Sequence, residues 1–340
     1  MRDLQKDPAK VLFLGSGWES VETLKALHGD SRFRITGAIT TADKRVGRKQ
    51  IITPSDVKKY CVENGIPVFH TENDTQRYVK AMEKFKPEIV VCKAFGEIVP
   101  KVFLDYPKYG CINVHFSILP KYRGAVPIQK AILDGEKETG ISIILMSEGL
   151  DEGDILHIER EKILDTDTNL SLRKRLVKKS SVILGDILEK WINGEIIPVK
   201  QNNAEATYCW QKDISKEKAQ ILWNSYSPEY IQRMVRAFIP WPVAWCRLGS
   251  SSGKSLDGKI MKIFDSELVN VANQLQIQNR QMQQRLYQLM EEHSVIRMNF
   301  LFEIVKNSNM FQKDTVEEAI KEIEESLFSS YKEPEDKILE

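Results

Sequence analysis

Four short apolar runs, Val11–Leu14, Phe33–Thr40, Val68–Phe69 and Glu88–Lys93, alternate with three stretches of helical character. The helical stretches are Glu19–His28, a segment capped at Thr53-Pro54 and running to Asn64, and Thr75–Phe85. This order leaves few folds open. A strand that crosses through a helix to the next strand builds a parallel sheet with helices on its faces. The expected class is α/β, a doubly wound, mostly parallel sheet. Gly15-Ser16-Gly17 lacks the third glycine of a dinucleotide fingerprint and reads as a plain turn between strand and helix.

A fifth apolar run, Cys111–Val114, opens the string C-I-N-V-H-F-S-I-L-P-K-Y-R-G, Cys111 to Gly124. Asn113 and His115 are two apart, so a strand projects both to one face. The chain then breaks into Ser117-Ile118-Leu119-Pro120, passes Lys121 and Arg123, and starts a helix at Ala125 with Pro127 in its first turn. The carboxyl end of a strand is where an open α/β sheet places its chemistry.

A further apolar strand, Ile141–Met146, leads into Gly149-Leu150-Asp151-Glu152-Gly153-Asp154, a tight loop presenting a carboxylate. If the two strands are neighbours, Asp151 reaches His115. An amide, an imidazole and a carboxylate together suit a reaction through a tetrahedral oxyanion. Asn113 would donate to the oxyanion, protonated His115 would polarise it, and Asp151 would hold the imidazole and raise its pKa. On pattern alone, the same residues also read as an ordinary strand end and an ordinary turn.

The 340 residues suit two domains with an appendage. Five scattered cysteines without a C-x-x-C indicate neither a zinc site nor a disulfide framework, so no metal and a reduced, cytoplasmic setting are expected. Residues 1–10 carry no apolar signal segment, and no run is long enough to span a membrane. The net charge of +1 conceals an asymmetry: residues 270–340 hold 8 Lys/Arg against 13 Asp/Glu, leaving the rest of the chain basic. A polyanionic partner on the body is compatible with that balance. Lys44, Arg45, Arg48 and Lys49 surround Gly47 in a small basic loop, read either as a solvated loop or as a phosphate contact.

Ile155–Ile163 alternates like an antiparallel edge strand. Ser171–Trp191 is an amphipathic helix whose basic start, Arg173 to Lys179, reads as a solvated face in preference to a second phosphate track. After Lys259–Phe264 the pattern turns helical. Leu275, Met282, Leu286, Leu289, Ile296 and Phe300 follow a seven-residue spacing, with Asn279 and His293 at the remaining seam positions. A second helix starts at Asp314 with Glu317 three residues on. Such a tail packs on its own body or self-associates.

The joint string N-x-H-x-S-x-L-P-x-x-R-G, followed by G-L-D-x-G-D at 149–154, resembles the folate-dependent formyltransferase family, in the branch that acts on methionyl-tRNA. The basic loop with T-P-S-x-V-K, and the string R-A-F-I-P-W-P-V-A-W at 236–245, resemble the same branch. The resemblance covers residues 10–263. It implies a formyltransferase Rossmann-like catalytic domain at 1–195 and a linker at 196–206. It further implies an incomplete, β-barrel-type tRNA-binding domain at 207–268, which leaves 269–340 as the helical tail.

The activity implied is transfer of a formyl group from 10-formyltetrahydrofolate to the α-amine of methionyl-initiator tRNA, with Asn113, His115 and Asp151 catalytic. Folate-binding residues implied are Phe95, Gly96, Glu97, Ile98, Ser117, Ile118, Leu119, Pro120, Gly149, Leu150 and Asp154. Lys44, Arg45, Arg48, Lys49 and Arg123 are implied on the tRNA side. Two other readings stay open: a formyltransferase acting on an amino-sugar nucleotide, and an inactive tRNA-binding or scaffold protein.

Overall fold

The computed structural model describes residues 7–46, 50–247, 259–268 and 298–299. The chain divides into two compact units, residues 1–218 and 219–340.

In the first unit β1 (Ala9–Gly15) runs through α1 (Trp18–His28) to β2 (Phe33–Ile39). A hairpin of β3 (Lys44–Val46) and β4 (Ile51–Thr53) precedes α2 (Asp56–Glu63) and β5 (Val68–Phe69). Then come α3 (Thr75–Phe85), β6 (Ile89–Lys93), a short α4 (Lys101–Leu104) and β7 (Cys111–His115). They are followed by β8 (Arg123–Gly124), α5 (Pro127–Asp134), β9 (Glu138–Leu145), β10 (Ile155–Lys162) and α6 (Asn169–Ile192). Finally β11 (Tyr208–Cys209) returns to pair with β8.

The helix starts follow cap chemistry. Ser55, not Thr53-Pro54, caps α2: its hydroxyl accepts from the Lys58 amide, while Thr53 is the last residue of β4. Asp74 caps α3 in the same way. The helix expected from Ala125 begins at Pro127, whose fixed φ and missing N–H suit the first helical position.

The main sheet has the order β10-β9-β7-β6-β1-β2-β5. β5, β2, β1, β6 and β7 are parallel, whereas β9 and β10 are antiparallel additions. The expected mostly parallel sheet and its antiparallel edge are both present. β6 is buried along its whole length, as a strand covered on both faces requires. One face packs Leu12, Leu14, Val90, Cys92 and Cys111 against Tyr78, Met82, Phe85 and Phe103. Because Asn113 and His115 share the parity of Cys111, they lie on that same face, at its carboxyl end.

The opposite face, under α1, α5 and α6, contains a buried ionic cluster. Lys93, the last residue of β6, is 4 % exposed. Its ammonium donates to the Val114 carbonyl at 3.0 Å, sits 3.0 Å from the Phe116 ring centre, and lies 3.8 Å from Glu19 of α1. Arg173 of α6 also bonds Glu19. Burial holds the Lys93 pKa down to about 8, against the pull of Glu19. Arg175 and Lys179 pair with Asp167, Glu159 and Glu161, so with Arg173 three of the five basic residues at the start of α6 meet the chain's own acids, while Lys174 and Lys178 are exposed.

The second unit holds α7 (Pro228–Ala237), an antiparallel pair β12 (Ala244–Arg247) and β13 (Ile260–Ile263), and a bridge between β14 (Ser266–Glu267) and β15 (Met298–Asn299). Ile231, Met234, Phe238, Ala244, Cys246 and Ile263 are buried. The first unit runs to Lys218 and has β11 hydrogen-bonded into it, so the stretch 196–206, expected as a linker, is followed by a strand of the first unit. Of the expected helical tail only Met298 and Asn299 are described. At those two residues the backbone pairs with β14 instead of closing helical hydrogen bonds; the heptad and the helix at Asp314 lie outside the described residues. Among the described residues no helix is long and apolar enough to cross a membrane.

Candidate active site

β7 is flanked by β6 and β9, with Asn113 beside Cys92 on one side and Ile144 on the other. β9 delivers the chain into the 149–154 loop, which brings Asp151 back over β7. Asp151 adopts φ 51°, a left-handed conformation that aspartate tolerates better than most side chains. Its carboxylate is held from two sides. Asn113 Nδ2 donates to Oδ1 at 3.0 Å, and the Gly124 amide donates to Oδ2 at 2.9 Å. His115 Nδ1 lies 3.4 Å from the same Oδ2. The three residues expected to act together are therefore one cluster.

His115 Nε2 lies 2.9 Å from the Tyr122 carbonyl, which can only accept, so Nε2 carries the proton of the neutral ring. Nδ1 then faces Asp151 with its lone pair. Burial pushes the His115 pKa below 6.5, and Lys93 across the sheet adds to that; Asp151 and the Tyr122 carbonyl pull the other way without overcoming it. The lowered pKa favours a neutral ring, which can accept a proton, while both ring nitrogens face acceptors that stabilise the imidazolium once it forms.

The site is closed by a segment that local sequence patterns did not mark. Gln201 Nε2 donates to the carbonyls of Asp151 and Gly153, both at 2.8 Å, which fixes the loop carrying the carboxylate. Its Oε1 accepts from Arg123 Nε and Nη2 at 3.0 and 2.8 Å. Thr207 Oγ1 accepts from the Tyr122 amide. On β9, Ser142 bonds the Ser117 carbonyl and the Leu119 amide, pinning the loop after β7. The signal for these partners was long range, with Gln201 and Arg123 separated by 78 positions.

Arg123, expected on the tRNA side, is 1 % exposed. Its guanidinium bonds Gln201, Asn203 and the Tyr208 hydroxyl, with Glu152 at 3.8 Å. It is a structural arginine, since a fully enclosed fork has no face left for a phosphate. Lys44 and Arg45 are exposed on β3, beside exposed Ile51 and Ile52 on β4; Arg48 and Lys49 lie outside the described residues. A cavity of about 300 Å³ at the base of this hairpin is lined by Ser16, Thr41, Lys44, Ser55 and Lys59.

The residues expected at a pterin differ in availability. Ile98 is 84 % and Leu150 45 % exposed, so both can wall a planar ring. A Lys101–Glu148 ion pair at 3.3 Å links the segments beside them. Gly96 turns its loop at φ 85°. Asp154, Ile118, Pro120 and Gly149 are half-buried. By contrast Phe95, Ser117 and Leu119 are buried, and the Ser117 hydroxyl donates to the Lys121 carbonyl. Glu97 is occupied by Thr71, the Asn73 amide and Tyr78. These four shape the loops from behind. Among the described residues no group of three or more His, Cys, Asp or Glu could hold a metal ion.

Residues 9–188 match the family model described as formyl transferase, and residues 213–284 match that of the formyl transferase C-terminal domain. The second match runs past the 268 boundary expected from the sequence. A methionyl-tRNA formyltransferase of Pseudoalteromonas translucida is 38 % identical over 263 residues, spanning 77 % of this chain and 78 % of that protein. One from Halalkalibacterium halodurans is 39 % identical over 262 residues, spanning 77 % and 79 %. Among solved structures, an N-formyltransferase from Helicobacter canadensis, in complex with folinic acid and dTDP-3-aminofucose, superposes with a TM-score of 0.54. It is 24 % identical and covers 68 % of this chain and 81 % of its own.

Proposed function

The chain belongs to the formyl transferase family, in its methionyl-tRNA formyltransferase branch, and from that premise we propose how its residues work. It transfers a formyl group to the α-amine of methionyl-initiator tRNA, with 10-formyltetrahydrofolate as the donor. The observation that carries the reading is the cluster in which Asp151 touches Asn113 at 3.0 Å and His115 at 3.4 Å.

The neutral amine attacks the formyl carbon, the carbonyl oxygen becomes an oxyanion, and the carbon–nitrogen bond to the folate then breaks. Asn113 spends one Nδ2 hydrogen on Asp151 and keeps the second for the oxyanion. The amine proton passes to His115 Nδ1, directly or through a water. The resulting imidazolium is stabilised by Asp151, and it returns the proton to the departing folate nitrogen. Ile98 and Leu150 wall the pterin. Lys44, Arg45, Arg48 and Lys49 contact acceptor-stem phosphates, a role that exposure supports for the first two.

The test is to incubate the protein with 10-formyltetrahydrofolate and methionyl-tRNA and to assay formylmethionine after deacylation. Formylation that is lost in Asn113→Ala and His115→Ala, with both variants folded, is the expected outcome. Folate binding without formylation of the tRNA, together with formylation of an amino-sugar nucleotide, would overturn the acceptor assignment.

A further inference from the structure

Tyr208 and Trp210 lie two apart on an extended segment, so they share a face while Cys209 between them is buried. Their rings are parallel within 5°, with centroids 5.9 Å apart. Tyr208 is 45 % and Trp210 46 % exposed. Two large parallel aromatic rings, half open to water, leave flat apolar area that the fold itself does not use.

Tyr208, on which Trp210 stacks, is held in place. Arg123 donates to the Tyr208 hydroxyl at 3.2 Å and stands 5.9 Å from its ring. Gln201 and Asn203 fix that guanidinium in turn. The pair also stands beside the chemistry. β11 pairs in register with β8, Tyr208 against Arg123 and Cys209 against Gly124, and the Gly124 amide is the donor that holds Asp151. The line from the rings to the reacting centre is thus strand pairing followed by one hydrogen bond. Exposed Lys212 follows Trp210 on the same segment, and Lys121 lies on the loop leading to β8.

We infer that Tyr208 and Trp210 form a stacking platform for the 3′-terminal adenine of the aminoacyl-tRNA. This rests on the reading of the acceptor given above. In methionyl-tRNA the reacting amine is joined to that adenine only through the methionyl ester and one ribose. A site that places the amine at Asp151 must therefore receive the adenine close by. A purine face is flat, apolar and sequence-tolerant in stacking, which is what parallel exposed rings offer. The adjoining lysines match the phosphates of the same strand.

The experiment measures KM and kcat for two acceptors, intact methionyl-tRNA and methionyl-tRNA whose terminal nucleotide lacks its base. The proteins are wild type, Trp210→Ala and Trp210→Phe, each checked by thermal unfolding and for donor affinity. One base–aromatic stack is worth about 1–3 kcal/mol, or roughly 5- to 150-fold. Trp210→Ala should raise KM for intact tRNA within that range, with kcat within about twofold and donor affinity unchanged. Trp210→Phe should recover most of the loss. Removing the base should cost wild type the same factor and Trp210→Ala almost nothing more, because the partner is already gone.

Multiplying losses, or an unchanged KM in Trp210→Ala, would overturn the platform. If wild type formylates neither acceptor, the acceptor assignment has failed. The platform is then decided by binding of a cytidine-cytidine-adenosine trinucleotide, read as tryptophan fluorescence quenching that Trp210→Phe removes. Absence of that quenching would overturn it as well.

Discussion

Replacing Lys93 with methionine keeps the stem and removes the ammonium. The wild-type group is fully enclosed, and its pKa is about 8 against an ordinary 10.5. At about 1.4 kcal/mol per tenfold change in proton affinity, that depression is a cost of about 3 kcal/mol for holding the charge in the folded state. Below pH 8 the lysine is charged in both states and the whole cost is present. Between pH 8 and 10.5 the unfolded chain holds the proton and the folded chain does not, so stability rises with pH. By pH 10 most of the cost is relieved.

Urea unfolding of both proteins from pH 7 to pH 10 isolates this group. His115 titrates below the window, and burial pushes Cys92 up to about 12, above it. Groups common to the two proteins cancel. The stability of wild type minus that of Lys93→Met should rise by between about 2 and 3 kcal/mol across the window. The absolute difference at pH 7 is smaller than the burial cost, because the variant strands the Val114 carbonyl at about 1–3 kcal/mol. Two parallel curves would refute the reasoning, since they would mean that the ammonium is as well solvated in the fold as in the open chain.

Other consequences are equally direct. Asn113→Ala and His115→Ala should each lower kcat by about 10²–10⁴ in single-turnover formylation while leaving donor binding in place. Gly124→Ala should be severe. The residue sits at φ 117°, and a Cβ there would meet the Cys209 carbonyl oxygen at 2.3 Å. Parting β8 from β11 should cost about 2–5 kcal/mol by calorimetry and should withdraw the amide from Asp151. Gln201→Leu strands the Asp151 and Gly153 carbonyls; kcat should fall by at least about tenfold while the melting temperature moves by only a few degrees.

Several features were legible because their signal is local. The strand–helix alternation dictated the sheet. The spacing of two put Asn113 and His115 on one face, and the glycines around Asp151 announced a turned loop. What was not legible depends on depth and on distant partners. Residue type alone gives no burial for His115, so the opposing effects of Asp151, which raises its pKa, and desolvation, which lowers it, could not be ranked. Arg123 looks like any arginine of a basic loop until Gln201 and Asn203 arrive from nearly 80 positions away. The stretch around 196–206 is polar and aperiodic, as a linker would be, yet part of it is the ceiling of the site. Lys93 ends an apolar run where a charged residue normally marks the return to solvent; only the α1 and α6 layer explains its enclosure.

The order in which the chain is made acquires a meaning from β11. All seven strands of the main sheet are complete at Lys162, so a nascent polypeptide can assemble its scaffold long before Gln201 and Cys209 exist. Domains consolidate from the amino end during synthesis. At that stage Asn113, His115 and Asp151 are all present, but the tie from Gln201 to Asp151 is not, and β8 has no partner strand. Catalytic competence is thus the last property of the first unit to appear. Fragments that terminate before Gln201 lack both the tie to the Asp151 loop and the partner strand of β8, and should formylate more slowly than the complete first unit.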